Sequence, residues 1–492
     1  MEPVETGKMQ LKVCVRLRPT PEGCPSLVHA DHRVLYMKDP LRGHNSEFVF
    51  DSIFGPEAKQ DAVFQEIGMP LVDHVMQGYN ACCLAYGHTG SGKTFSMLGR
   101  EPAVTSDGAQ DRHDYGVIPR ACEMIAKAAI HANRKADHAE VSGQSSNVIR
   151  IKLFVSFLEV YMENVRDLGA AAQAYLRASG GRLSGGFGET HGSVMATTLR
   201  SFASSDGGPP ASTPSRPTAM PLREPADYVR ANLDVMEDAY GMTFVKDLTF
   251  IEVSDADDML SVLQAGYAVR PTCPIDVSSR AHTIFSISVV TYRGDQQPVT
   301  GRLNLVDLAG SEKQSRSGAE GHRLREASAV GKSLAALSKV VVALSQAGGT
   351  LPPPGPLASR SGSLSSHLSG STNNPHVPYR DAKLTRVLKD SLCGNAMLVL
   401  LACVYPVFDE VDESLATLQY ATKVLTNTTL PHVNLLLPPG TPGVASSADP
   451  GLVEELTAQI AALKDELEVT HAHYQKLIET IAGPSWRNDP GP

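Results

Sequence analysis

Apolar positions along the chain fall into blocks with two different periods. Six short runs are almost continuously apolar: KVCVRLR (12–18), ACCLAYG (81–87), IKLFVSFLEVY (151–161), TIFSISVVTY (283–292), RLNLVDLAG (302–310) and MLVLLACV (397–404). Strands covered on both faces of a sheet read this way. Between them lie segments of helical period, of which HRLREASAVGKSLAALSKVVVALSQ (322–346) is the longest; GKTFSMLG (92–99) opens another. The alternation predicts an α/β fold with a central, mostly parallel β-sheet flanked by helices.

Three stretches break the pattern. Residues 169–225, 348–376 and 435–450 are dominated by Gly, Pro, Ser and other small residues, so they bury little apolar surface. The first two read as mobile insertions within one large domain (11–425), the third as a flexible linker. Beyond it, Val453, Ile460, Leu467, Tyr474 and Ile481 form one heptad register. Leu456, Leu463, Thr470 and Leu477 form the other, and Gly483-Pro484 ends the run. Residues 451–482 therefore read as a short coiled coil joining a homodimer, or as a lone helix packed on the main domain. Residues 483–492 read as a tail.

Composition narrows the function classes. The 492 residues carry a net charge of -9, 42% hydrophobic and 20% charged residues. A wholly disordered or collagen-like chain is excluded, and a simple basic nucleic-acid binder is disfavoured. Eight scattered cysteines show no CxxC spacing, as expected of a reducing compartment. The N-terminus lacks a signal-peptide core. The longest apolar run, near 396–407, falls short of the ~20 residues that span a bilayer. A soluble cytoplasmic protein is expected.

The chemistry concentrates at three places. Gly87-His88-Thr89-Gly90-Ser91-Gly92-Lys93-Thr94 follows an apolar strand and matches G-x-x-x-x-G-K-[ST]. Such a loop wraps phosphate oxygens in backbone N–H groups; Lys93 would reach the β- and γ-phosphates and the Thr94 hydroxyl would hold Mg²⁺. The strand Leu303–Val306 ends in Asp307, and Leu308-Ala309-Gly310-Ser311-Glu312 follows. This places an acid near the metal and offers the Gly310 N–H to a γ-phosphate. Ser278-Ser279-Arg280-Ala281-His282 supplies hydroxyls for Mg²⁺ or phosphate. Arg280 and Glu312 are expected to form an ion pair that closes when γ-phosphate is present.

Together with Arg16-Leu17-Arg18-Pro19, FLEVYMENVRDL (157–168) and VPYRDAKLTRVLKDSLCGN (377–395), these elements occur in the order in which they occur in kinesins. The chain resembles the kinesin motor domain from residue 11 to about 430. The resemblance implies a P-loop NTPase fold, ATP and Mg²⁺ as ligands, and microtubules as partner. Arg16, Arg18 and Pro19 would line the adenine pocket with Phe95 stacked on the base. Thr94 and Ser279 would coordinate Mg²⁺, with Asp307 holding a metal-bound water. Ser278, Arg280, Gly310 and Glu312 would serve hydrolysis. The tubulin face would include Lys313, Arg325, Lys332, Lys339, Tyr379, Arg380, Lys383 and Arg386.

Residues 426–434 lie where kinesins carry the neck linker, which implies plus-end motion, with 1–10 as an N-terminal extension. The helix beyond is similar to the neck coil of the kinesin-three transport class, although 348–376 lacks that class's lysines. Several positions depart from the family pattern: Ile275 for Asn, Ala281 for Ser, Tyr267 for Arg and Gly331 for Asn, with Pro274 beside the first. They leave a second reading, a microtubule-binding protein that binds nucleotide but hydrolyses it weakly. The acidic total also resolves locally, since residues 313–390 hold eleven Lys and Arg against four Asp and Glu. Cargo is not legible, and no nucleic acid or membrane partner is implied.

Overall fold

A computed structural model describes residues 9–40, 43–100, 103–104, 110–142, 148–179, 183, 229, 231–238, 242–270, 280–294, 296–312, 322–346, 377–392, 394–425, 427–429, 431 and 434–435. Ser278, Ser279, Lys313, the stretch 348–376 and the heptad segment 451–482 lie outside them. The described residues all belong to one unit, Met1–Leu437.

The main sheet contains β1 (Lys12–Leu17), β2 (Ser52–Phe54), β3 (Ala81–Tyr86), β4 (Ile149–Tyr161), β5 (Asn164–Asp167), β6 (Ile251–Val253), β7 (His282–Arg293), β8 (Val299–Asp307), β9 (Met397–Val404) and β10 (Asn434–Leu435). Its order is β5-β4-β7-β8-β3-β9-β1-β2, with β6 on β4 and β10 on β8. The half around β3 is parallel, as the continuous apolar runs predicted. The long strands β4, β7 and β8 pair antiparallel. Few residues separate β7 from β8 in sequence, which suits antiparallel neighbours.

Side chains alternate across the sheet into two apolar layers. On β3, Cys83 and Ala85 enter one layer with helix α3 (Val117–Val141). Cys82 and Leu84 enter the other with α6 (His322–Gln346), α7 (Lys383–Val387) and α9 (Val411–Val424). Both thiols are free, and the adjacent pair simply faces opposite ways. Further helices are α1 (Met69–Met76), α2 (Lys93–Met97), α4 (Leu168–Ala178), α5 (Ala256–Ala268) and α8 (Lys389–Leu392).

Helix α4 corrects one boundary. Residues 169–178, assigned to the first insertion, are helical, because the alanine-rich run GAAAQAYLRA favours helix and Asp167 caps it by accepting from the Ala170 N–H. Gly169, Ala171 and Ala172 are buried there; small side chains let the helix lie close to the sheet. Helix α6 is apolar and long enough to cross a membrane. In the fold its Leu334, Leu337, Val340, Val341 and Leu344 pack into the second layer.

Two short pairings lie near the edges of the described stretch. Met9–Gln10 pairs with Thr428–Thr429. β10 pairs with the start of β8, where the Asn434 amide group reaches Gly78 O at 3.2 Å and Asn80 Oδ1 at 3.1 Å.

Candidate functional site

The loop 87–92 leaves the end of β3 and enters α2. Gly87 sits at φ +149°, and a Cβ there would stand 2.3 Å from the Cys403 carbonyl oxygen. The close approach of β9 therefore demands glycine at this position. Lys93 is buried and its Nζ donates to Gly87 O and His88 O, both at 2.9 Å. Burial pushes the ammonium below its ordinary value, with Asp307 opposing. His88 is buried behind the loop; its Nδ1 lies 2.8 Å from Thr89 O, and burial lowers the ring to about 4.

Beside the loop, β8 runs parallel to β3, so that Asp307 stands level with Ala85. The Thr94 hydroxyl donates to Asp307 Oδ2 at 2.6 Å. The other carboxylate oxygen, Oδ1, is buried with no hydrogen-bond partner among the described residues. Burial pushes this carboxyl up, against Lys93 and Thr94. A hydroxyl oxygen and an orphaned carboxylate oxygen are hard donors, and they fit Mg²⁺ completed by substrate phosphates. No cluster of three His, Cys, Asp or Glu occurs among the described residues.

The segment after β8 is stapled to the loop, with the Ser311 N–H donating to Gly87 O at 3.2 Å. Glu312 then clasps Thr89 twice: Oε2 accepts from the backbone N–H at 2.9 Å and Oε1 from the hydroxyl at 2.6 Å. Burial alone would raise the Glu312 carboxyl, yet the Thr89 bonds hold it below the usual range. Gly310 lies inside this clasp. A Cβ there would stand 2.2 Å from Glu312 Oε2 and 2.3 Å from Thr89 Oγ1.

Arg280 and Glu312, expected to pair when γ-phosphate is present, each have another partner in this structure. Arg280 Nη1 donates instead to Glu326 Oε2 at 2.8 Å, and the Tyr161 hydroxyl donates to the other oxygen of Glu326. The physical reason is that both carboxylates already have donors: Glu312 is satisfied by Thr89, and Glu326, 2% exposed on α6, requires a cation. His282, read only as part of a motif, is a second link that the sequence did not single out. Its Nδ1 accepts from the Ala309 N–H at 3.0 Å, and Nε2 lies 2.8 Å from Ser333 Oγ of α6. Burial, then Lys93, keeps the imidazole neutral, down to about 3. The general signal was a histidine flanked by strand residues with no exposed role.

Tyr267, where the family pattern has Arg, places its hydroxyl 3.3 Å from Thr283 Oγ1. Arg270, one turn on, takes Glu159 at 2.8 Å. Ala281 is buried, and α6 runs through Gly331 unbroken.

A cleft of about 910 Å³ opens beside the loop, lined by Arg16, Arg18, Pro19, Thr89–Phe95 and residues including Gln60 and His113. That volume lies within the range for small-molecule sites. Arg16 is more enclosed than expected of a base-lining group. It donates to Gln60 Oε1 (2.8 Å), Ser96 Oγ (3.0 Å) and Ala58 O (3.2 Å), and lies 5.1 Å from the Phe95 ring centre. Gln60 Nε2 in turn donates to Phe95 O at 2.7 Å. Arg16 thus braces Phe95 rather than presenting a free edge. Arg18 stacks over Tyr405 and donates to Gly90 O.

On α6, Arg325, Lys332 and Lys339 are exposed, and Lys339 lies 3.4 Å from Asp381. Arg380 is 79% exposed. Tyr379 is a correction: it is buried in the second apolar layer, because the turn 379–381 folds its ring inward, where its carbonyl accepts from Thr385 Oγ1. Arg386 is half-buried and donates to Val235 O at 2.5 Å. Lys383 is half-buried beside Asp234.

A profile described as the kinesin motor domain matches residues 21–182 and 220–426. The kinesin-like protein KIN-5A of Oryza sativa subsp. japonica is 32% identical over 427 residues, covering 85% of this chain and 31% of its own length. The kinesin-like protein KIF27 of Rattus norvegicus is 28% identical over 494 residues, covering 96% and 28%. The chain therefore spans about a third of the length of these relatives. Among solved structures, a KIF14 dimer in a two-heads-bound state, with AMP-PNP and in complex with a microtubule, matches with TM-score 0.60 at 26% identity. It covers 87% of this chain and 97% of that one. A fast kinesin matches with TM-score 0.60 at 27% identity, covering 89% and 98%.

Proposed function

This chain belongs to the kinesin motor domain family, and from that premise we propose that it is a microtubule-based motor that couples Mg·ATP hydrolysis to plus-end-directed movement. One observation carries the reading. The segments beside the nucleotide loop and the 25-residue α6, which bears exposed cations, meet at shared hinges: Arg280 on Glu326, and His282 between Ala309 and Ser333. A γ-phosphate that drew Arg280 and Gly310 toward itself would pull on α6 through these bonds. A track bound at α6 would push back through the same bonds.

The work of the site is positioning and charge stabilisation. The loop amides and Lys93 would hold the phosphates, Phe95 and Pro19 the base, and Thr94 and Ser279 Mg²⁺, with Asp307 on a metal-bound water. Mg²⁺, when bound, neutralises charge that develops on the phosphate oxygens. Glu312, released from Thr89, would meet Arg280 and orient the attacking water with Ser278. Residues 426–434 act as a neck linker: Thr428–Thr429 against Met9–Gln10 and β10 on β8 support a docked, forward-pointing arrangement. Residues 451–482 join two copies, and the protein works on cytoplasmic microtubules.

The test is ATP turnover with and without microtubules. A strong rise with microtubules is expected; turnover that stays at its basal level refutes the motor. The second reading, a binder that hydrolyses weakly, rests on the departures from the family pattern at Ile275, Ala281 and Gly331. It predicts co-sedimentation that barely differs between ATP and a non-hydrolysable analogue, and a large nucleotide-dependent change rejects it.

A further inference from the structure

The cations near α7 and α8 do not stand alone. A hairpin of two short strands, Val235–Glu237 and Thr243–Val245, packs against these helices. It is fastened by the Arg386 bond to Val235 O (2.5 Å) and by the Thr243 N–H donating to Asp390 Oδ2 (2.9 Å). So anchored, it aims its carboxylates at the basic cluster. Glu237 Oε1 lies 3.6 Å from Arg380 and its Oε2 lies 3.4 Å from Lys389. Asp234 lies 3.8 Å from Lys383. The stretch 313–390 is strongly basic in sequence, but the fold imports acid into it from more than a hundred residues upstream.

These pairs are long and unevenly exposed: the Arg380 and Asp234 side chains are 79% and 73% exposed, Lys383 and Glu237 28% and 29%, and Lys389 17%. Such contacts contribute little to folding. What they alter is the field at the surface. Each carboxylate fixed within about 4 Å of a cation cancels most of its attraction for an anion beyond it.

We propose that Asp234 and Glu237 form a built-in acidic counter-face that competes with the acidic tubulin surface for Arg380, Lys383 and Lys389, and thereby sets the strength and salt dependence of track binding. This rests on the reading of that face as the microtubule side. The hairpin is a specificity element: it weakens general attraction to polyanions and leaves affinity to contacts that only a matched surface makes.

The experiment is microtubule co-sedimentation in AMP-PNP at several salt concentrations. The proteins are the wild type, the double variant Asp234→Asn/Glu237→Gln, and Asp137→Asn. Asp137 lies on α3, under the opposite face of the sheet. The double variant is expected to bind about three- to tenfold tighter at ~50 mM salt, with the gain shrinking at high salt. Asp137→Asn is expected to bind like the wild type; an equal gain there would make the effect one of net charge and overturn the proposal. Should the double variant fail to fold, the exposed Asp234→Asn alone is expected to tighten binding about twofold. Wild-type binding with unchanged or weaker affinity in the hairpin variants overturns this proposal alone. A wild type that binds no microtubule in any nucleotide state overturns the reading of the face and the proposal with it.

Discussion

Removing Glu326 tests whether Arg280 truly rests on α6. In the structure this carboxylate is 2% exposed and takes Arg280 Nη1 on one oxygen and the Tyr161 hydroxyl on the other. Glu326→Ala deprives both donors at once. Breaking a buried ion pair by deleting one partner costs about 3–5 kcal/mol. The Arg280 side chain is 18% exposed and recovers some solvation, so the charge part falls to about 2 kcal/mol. The lost Tyr161 bond adds about 1 kcal/mol. The expected loss is therefore about 3 kcal/mol. Glu326→Gln keeps one acceptor oxygen for Arg280, while its NH₂ meets the Tyr161 hydroxyl, which would have to turn and accept. With the countercharge gone but one bond kept, it is expected to lose less than the alanine variant, about 2 kcal/mol.

Urea unfolding followed by circular dichroism, at fixed nucleotide and Mg²⁺, measures these losses. A double-mutant cycle with Arg280→Gln isolates the pair, with an expected coupling of about 1–2 kcal/mol. A loss under about 0.5 kcal/mol for Glu326→Ala, with no coupling to Arg280, would show that the pair is not populated in solution, and the α6 hinge would fail with it.

Other contacts carry separate expectations. Lys93→Ala is expected to abolish tight Mg·ATP binding, and an unchanged nucleotide Kd by titration calorimetry would contradict the site. Gly310→Ala forces a Cβ into the space of Thr89 Oγ1 and Glu312; nucleotide binding should survive while turnover falls at least about tenfold (about 1.4 kcal/mol), and full turnover would show the clasp to be idle. Asp390 gives a pH signature. Burial raises it from 3.8 to about 6, against the Thr243 N–H and Arg302. Since the folded value lies above the free one, its stabilising contribution is complete below about pH 4 and is lost as pH rises through 6. Asp390→Asn should therefore gain on the wild type by on the order of 2–3 kcal/mol between pH 4 and 6.5 in urea melts, and a flat difference would refute the assignment. Asn434→Ala, which removes the bonds to Gly78 and Asn80, should slow gliding while leaving nucleotide affinity unchanged.

The sheet was legible because β3 and β9 are apolar without interruption, and only strands covered on both sides demand that. The turn 87–92 between β3 and α2 was legible because its glycines mark a tight turn whatever the fold around them. The Arg280–Glu326 contact was not legible. Arg280 has Glu312 and Glu326 both downstream, 32 and 46 residues away, and sequence distance says nothing of which carboxylate lies nearer in space. Tyr379 looked like a surface residue between Pro378 and Arg380, yet a tight turn reversed its side chain. Helix α4 was hidden by glycine-rich neighbours, although the alanines and the Asp167 cap were present. The acidic hairpin was missed because charge was counted along the chain, where its carboxylates belong to a different segment from the cations they face.

Strand β8 is nine residues long. At one end Asp307 holds the Thr94 hydroxyl; at the other, Val299 and Thr300 hold β10. Its middle is clamped by neighbours on both sides, so it slides or tilts only as a whole. In the proposed motor, load carried past Leu435 would therefore reach Asp307 along this one strand.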